Sequence, residues 1–176
     1  MKPIIETERL ILREIDPEHD FEGWAEVCAD AQTMRYIGGD VLSRPMAWRN
    51  MALVIGHWQI RGFGFFSLVE KSTGKWVGRA GPWNPHGWPQ PEVGWTIHPA
   101  HTRKGYGAEA GRASIDYAFG ELGWNEVAHV IADGNVASMA LAEKLGSRRL
   151  REIDGIPGVF EGLAYIYGQD KPCKVG

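Results

Sequence analysis

The sequence predicts a mixed α/β fold, on two observations. Short apolar runs of strand length alternate with longer stretches of helical period. No Pro-, Gly- or Ser-rich linker, internal repeat or low-complexity tract divides the 176 residues. One domain is therefore expected, which at this length buries roughly 70% of the surface its unfolded chain exposes.

The elements follow in order. Residues Glu8 to Ile15 read as an apolar-rich strand. Asp16-Pro17 then starts a helix, with Asp as N-cap and Pro at the first helical position, running to about Ala29. Ser43 and Pro45 open a second helix, in which Met51, Val54, Ile55 and Trp58 recur at helical spacing, ending near Gly62. Strands Gly64 to Glu70 and Lys75 to Ala80 flank a hairpin turn at Ser72-Thr73-Gly74. Pro82 to Pro91, with four prolines and two tryptophans, reads as a loop of the kind that frames sites.

Glu92 to His98 is a strand, joined by Pro99–Arg103 to a helix from Gly105 to Leu122 that Gly123 ends. Val127 to Ala132 is the next strand, and Asn135 caps a helix reaching Leu145-Gly146. Two last strands, Arg148 to Ile153 and Leu163 to Tyr167, flank Gly155-Ile156-Pro157-Gly158.

Composition bounds the function. The net charge of −3 leaves no broad basic field for a nucleic-acid backbone. No run of 18 apolar residues suggests a membrane span, and the charged N-terminus does not resemble a signal peptide. Cys28 and Cys173 form neither a C-x-x-C pair nor a zinc spacing and read as free thiols, so a cytoplasmic protein without nucleic-acid or membrane partners is expected. Eight tryptophans fill a core, or line a cleft or subunit interface.

The most informative turn is Arg103-Lys104-Gly105-Tyr106-Gly107-Ala108, between a strand and a helix. The first N–H groups of a helix lack internal partners, and with the helix dipole they form an anion site. Gly105 and Gly107 allow close approach, while Arg103 and Lys104 add positive charge, so a phosphate or pyrophosphate ligand is expected. Gly105-Tyr-Gly107-Ala-Glu-Ala110 also satisfies G-x-G-x-x-A, with Asp133 placed as a ribose-binding acid. A dinucleotide fold, however, wants this turn after its first strand, with several strand–helix units following.

Three segments together resemble the GNAT superfamily of acetyl-CoA-dependent N-acetyltransferases, in the branch of the ribosomal-protein N-terminal acetyltransferases. They are Thr7-Glu-Arg-Leu-Ile-Leu-Arg13, Glu92-Val-Gly-Trp with Lys104-Gly-Tyr-Gly-Ala-Glu-Ala110, and Asn135-Val-Ala-Ser-Met-Ala-Leu-Ala-Glu-Lys-Leu-Gly146, spanning roughly Ile4 to Gly168 with their flanks. The resemblance implies a central, mostly antiparallel, seven-stranded sheet with flanking helices, in which Glu92–His98 and Val127–Ala132 splay apart. It implies acetyl-CoA as co-substrate, with no metal. The pantetheine arm would enter the gap and pair with Trp95, Thr96 and Ile97. The pyrophosphate would sit on amides from Arg103 to Ala108, through Lys104, Gly105, Tyr106 and Gly107, and Asn135 would bond the cofactor arm. Three positions depart from the family pattern: Thr102 stands where Gln or Arg is preferred, Arg103 where Gly is frequent, and Ser147 where Phe is common.

Acetyl transfer requires a neutral amine, a stabilised carbonyl oxygen and a protonated leaving thiol. Glu92, opening the cofactor strand beside the Pro/Trp loop, is the candidate base or else a structural carboxylate. Ser138, matching the branch at Asn135-x-x-Ser138, is the candidate acid or else a backbone-bonding residue of the first turn. Leu141 occupies the place where other members carry a tyrosine. His98 and His101 are expected at the loop or cofactor edge, His57, His86 and His129 stand alone, Glu109 and Glu126 read as solvated, and Tyr165 and Tyr167 read as packing residues. The acceptor is an amine, a protein N-terminus or a small molecule, and a homodimer is expected from the tryptophans and family habit. A non-catalytic acyl-CoA sensor and a dinucleotide-binding domain are the alternative functions.

Overall fold

The computed structural model describes residues 3–173. Its strands are β1 (Ile5–Glu6), β2 (Leu10–Arg13), β3 (Phe66–Glu70), β4 (Trp76–Trp83), β5 (Glu92–Ile97), β6 (Glu126–Ala132), β7 (Arg148–Ile156) and β8 (Phe160–Asp170). Its α-helices are α1 (Pro17–Ala29), α2 (Ala31–Met34), α3 (Arg44–Arg61), α4 (Tyr106–Gly120) and α5 (Val136–Lys144), with a 3₁₀ turn at Pro99–His101. The strands make one sheet in the order β1-β2-β3-β4-β5-β6-β8-β7. All neighbours are antiparallel except β5 and β6, which run parallel because α4 crosses between them.

The mixed α/β class and the mostly antiparallel sheet stand as expected, with eight strands in place of seven. The extra strand arises at the N-terminus. Thr7 N–H donates to Leu10 O at 2.9 Å and Thr7 Oγ1 accepts from Leu10 N–H at 3.0 Å. This folds the first strand back as the hairpin β1–β2, with Ile5 opposite Leu12. Pro82, expected in a loop, lies inside β4. β3 pairs with β4 only as far as Phe66–Ala80, so Pro82 sits beyond that ladder, an edge place where its missing N–H removes no bond.

Helix boundaries follow their caps. Asp16 accepts from the N–H groups of Glu18 and His19 ahead of α1, and Gly62 closes α3 in the left-handed conformation. On one side of the sheet α1 and α3 cover Phe65 and Trp83 with Trp24, Met51 and Val54. On the other, Tyr106 and Ala110 of α4 pack over Leu10, Leu12, Leu68 and Ala80. Among the described residues, no helix is long and apolar enough to cross a membrane.

The opening motif is structural. Glu109 of α4, expected to be solvated, accepts from Thr7 Oγ1 (2.6 Å), Arg9 N (2.8 Å) and Arg9 Nε (2.7 Å). Arg13 grips Asp20 of α1 through two bonds of 2.8 and 2.7 Å. Asp20 is fully buried and also accepts from Asp16 N and Ser67 Oγ. The β1–β2 hairpin is thus tied by one carboxylate to each helical layer. Glu109→Ala removes the acceptor shared by three donors, and a loss of about 1–3 kcal/mol is expected in urea unfolding.

Candidate active site

The parallel pair β5–β6 touches at one rung, Glu92 opposite Ala128, and then parts. β5 stays with β4 through six residue pairs, and β6 stays with β8 through seven. Beyond the rung, side chains take the place of the ladder. Glu92 Oε2 accepts from Val130 N–H at 2.9 Å. His129 Nδ1 donates to Val93 O at 2.6 Å, because a carbonyl can only accept. The neutral ring then has Nε2 as acceptor, and Ser147 Oγ, at 2.9 Å, is its donor while receiving Gln169 Nε2.

His129, expected to stand alone, is therefore a bridge across the split. Ser147, at the position where the family pattern has phenylalanine, supplies the hydroxyl that His129 Nε2 meets. Burial pushes the His129 pKa down to about 4, against the opposing bond to Val93, so the ring is uncharged at neutral pH.

Glu92 is 6% exposed. Burial raises its carboxyl to about 7, opposed by the bond from Val130 and by the nearby Trp88 indole. That indole N–H is buried and meets no acceptor with hydrogen-bond geometry, so Val130 is the firm partner. A carboxyl held near neutrality can take up and release protons where catalysis needs it.

A cavity of about 410 Å³ opens at the split. Glu92, Trp95, Thr96, Asn135 and Ser138 line it together, with Trp83 and Trp88 among its aromatic walls. The tryptophans thus serve both expected purposes, since Trp24 and Trp58 are core residues at 2% and 3% exposure. Trp95 Nε1 donates to Ser138 Oγ at 3.4 Å, which leaves the serine proton free for another acceptor. Asn135 caps α5, its Oδ1 accepting from Ser138 N–H at 3.2 Å, which leaves its NH₂ for a ligand.

Ile97 and residues 103–108 lie outside the cavity lining, at the far end of β5. Gly105 precedes α4 with φ +86° and supplies no side-chain cap to the helix amides. Arg103 adopts φ +60°, the left-handed geometry that glycine would take more readily, so the turn keeps its path. A Cβ on Gly107 would meet Leu141 Cδ2 at 3.0 Å, so this glycine also seats α4 against α5. Tyr106 is buried, its hydroxyl bonded to Glu70, which leaves its backbone alone facing the turn. Lys104 and Arg103 are exposed, and Arg9 donates to Lys104 O at 2.8 Å, adding a further cation to the turn.

Other histidines hold loops. His57 Nδ1 donates to Phe63 O at 2.9 Å, and its Nε2 accepts from Asn84 N–H at 3.2 Å, pinning the Pro/Trp loop where it leaves β4. His98 pairs with Glu26 at 2.8 Å. Asp133, the residue a dinucleotide reading would need, receives Tyr165 OH at 3.0 Å, so Tyr165 is more than packing. The turn follows the fifth strand, not the first.

One lining residue had no signal in the sequence. Arg79 of β4 reaches the cavity between the Trp24 and Phe65 rings, with its guanidinium carbon 4.6 and 4.9 Å from their centres. Nothing in Trp-Val-Gly-Arg-Ala distinguishes it from a solvated strand cation.

The family model "Acetyltransferase (GNAT) domain" matches residues 9–148. The uncharacterized protein YkkB of Bacillus subtilis is 32% identical over 109 residues, 59% of this chain and 63% of its own, so the match spans under two thirds of that relative. The uncharacterized N-acetyltransferase YnaD of Bacillus subtilis is 26% identical over 145 residues, 82% of each chain. A GNAT-family acetyltransferase structure from Bacillus anthracis superposes with a TM-score of 0.81 at 25% identity, over 96% of this chain and 98% of that one. Solved structures of a "putative ribosomal-protein-serine acetyltransferase" from Vibrio cholerae, of the ribosomal L7/L12 α-N-protein acetyltransferase RimL and of the ribosomal-protein-S5-alanine acetyltransferase from Vibrio fischeri share the fold at 23%, 13% and 18% identity, with TM-scores of 0.78, 0.76 and 0.72. With this match, the split sheet and the uncapped helix after β5, the chain belongs to the GNAT acetyltransferase family and is an acyltransferase that moves an acetyl group from acetyl-CoA to an amine.

Proposed function

We propose that the chain is one acetyltransferase domain in which Glu92 is the general base and Ser138 the general acid of direct amine attack on the thioester. The observation that carries this reading is a buried carboxyl with its pKa near 7, lining the cavity where β5 and β6 part. A free amine is largely protonated at neutral pH, with a pKa of ~8 for a peptide α-amino group. The neutral fraction attacks, and Glu92 takes a proton from the nitrogen as it adds to the carbonyl carbon. Past Val93, whose carbonyl His129 takes, no β6 residue pairs with β5, which favours the β5 backbone there as the seat of the pantetheine arm and of the developing oxyanion. When the tetrahedral intermediate collapses, Ser138 gives its proton to the departing sulfur and takes one back from solvent, while Glu92 releases the amine proton to water.

The pyrophosphate rests on the amides that open α4, beside Arg103 and Lys104, with the Asn135 NH₂ on the cofactor arm. The distance of this turn from the cavity suits an elongated cofactor with its diphosphate at one end and its thioester at the other. A cytoplasmic setting, where acetyl-CoA and free thiols coexist, suits the unpaired Cys28 and Cys173.

Glu92→Gln keeps an acceptor for Val130 N–H and removes the proton acceptor. A fall in kcat of about 10²-fold or more is expected, read by CoA release with an amine panel. Below pH 7 the wild-type log(kcat/KM) should rise by about two per pH unit, one from Glu92 and one from the amine, and by about one in the variant. An unchanged slope would remove Glu92 from the base role.

The same change should stabilise the protein. Glu92 ionises at its ordinary value near 4.5 when unfolded and near 7 when folded. Between these pH values only the unfolded state releases the proton, so rising pH penalises the native protein by up to about 3 kcal/mol, complete above pH 7. Chemical denaturation at pH 8 should therefore show Glu92→Gln more stable than wild type, with the gap closing toward pH 4.5. Ser138→Ala should lower kcat by about tenfold or more while acetyl-CoA affinity holds, since that variant loses a proton donor and no cap.

A further inference from the structure

Arg79 has an unusual setting for a permanent cation. Its guanidinium lies between Trp24 and Phe65, and its Nη1 is buried without a hydrogen-bond partner. Among the described residues no carboxylate forms an ion pair with it, and the Cys28 thiol lies near it. Burial lowers its pKa to about 10, so it is still charged at neutral pH. An unpaired buried charge is costly, and aromatic faces repay only part of that cost. The group nevertheless lines the cavity that Glu92 lines.

Neighbouring groups make the same corner a donor site. Arg79 stands opposite Thr96 on β5, and Glu92 stands opposite Trp83, so all four project from one face of the sheet. That is the face covered by α1 and α3, whereas Val93, next to Glu92, packs under α4. Asn50 of α3 also lines the cavity, and its Oδ1 is occupied by Trp24 Nε1 at 3.1 Å. Its NH₂ makes no hydrogen bond among the described residues and is available to a ligand. A planar fork of donors, an amide NH₂ and a hydroxyl converge with no fixed anion among them, and a carboxylate matches that set.

We propose that the acceptor is an amine that also carries a carboxylate, which Arg79 and Asn50 receive while the amine faces Glu92. This rests on the acetyl-transfer reading of the cavity and names its substrate class. Arg79 and Glu92 sit four residues apart along β4 and β5, roughly 13 Å between their levels on the strands, part of which the long arginine spans. The carboxylate therefore belongs several bonds away from the amine. It could come from a free amino acid or from the acidic side chain at a peptide N-terminus; the chemistry recognised is the same.

The test compares each acceptor with its carboxamide isostere on the full chain. Glycine, β-alanine, γ-aminobutyrate and 5-aminovalerate are paired with their amides, and N-terminal Asp and Glu peptides with their Asn and Gln counterparts. At least one wild-type pair should favour the carboxylate by about 10- to 100-fold in kcat/KM, the weight of a charge-assisted bond. Arg79→Gln should bring that ratio to about one while the KM for acetyl-CoA stays within about twofold. Preference in the first set alone identifies an amino acid, and in the second alone an acidic peptide. Absence of preference in every pair, or a preference that survives Arg79→Gln, overturns the proposal.

A calorimetric arm separates this failure from failure of the acetyltransferase reading. CoA-loaded wild-type protein is titrated with the same carboxylate and amide pairs. Carboxylate-selective binding that Arg79→Gln abolishes supports the site even where no acceptor is turned over, and equal binding refutes it. Should Arg79→Gln fail to fold, Arg79→Lys replaces it: with charge kept and the fork lost, the preference should drop by about tenfold, and an undiminished preference refutes the proposal.

Discussion

The structure depends on how it satisfies the backbone where β5 and β6 part. An open split exposes ladder donors and acceptors inside the protein, and buried polar groups left unmatched are costly. Glu92 supplies an acceptor for Val130 N–H and His129 a donor for Val93 O, so two side chains hold open what a ladder would close. Burial of these same side chains sets their proton affinities, upward for the acid and downward for the base. The gap and its chemistry thus share one cause. Taking a carboxyl out of water to act as a strut also leaves it half-ionised near neutral pH.

That arrangement divides the site by function. The α4 face of β5 leads to a helix start with free amides and neighbouring cations, as an anionic cofactor requires. The opposite face, under α1 and α3, carries Arg79, Thr96 and Glu92 among aromatic walls. Trp95 and Ser138 meet across the opening between the strand and α5. On the proposed reading, acetyl-CoA and the amine enter from different sides of a sheet, so neither must leave before the other enters.

The sequence made legible what is local or repeated. Helical spacing in Met51, Val54 and Trp58, the Asp16-Pro17 start, and the Gly-rich turn after Glu92–His98 all state their geometry within a few residues, and the elements formed there. Long-range partnerships were opaque. Glu109 reads as an ordinary helix-surface acid until the fold brings Thr7 and Arg9 beside it, about a hundred residues away in the chain. His129 reads as a lone histidine in a strand, because its role follows from the divergence of two strands, which no local pattern encodes. Arg79 was hidden for the same reason. Its significance lies in the absence of a carboxylate around it, and sequence lists residues, not surroundings. Ser147, by contrast, was visible as a departure from a family pattern and needed only the position of His129 to explain it.

Arg103 carries a consequence for the variation that this turn tolerates. At φ +60° its Cβ crowds the following carbonyl oxygen, a penalty of roughly 1–2 kcal/mol that glycine avoids and that asparagine or aspartate partly offset through their short polar side chains. Valine, isoleucine and threonine, branched at the crowded atom, fit worst. Among related chains that keep the same loop path, this position should therefore alternate between glycine, which costs nothing in backbone geometry, and an unbranched residue whose side chain repays the crowding. Here that residue is a cation beside the amides that open α4, a local trade of conformational ease for charge.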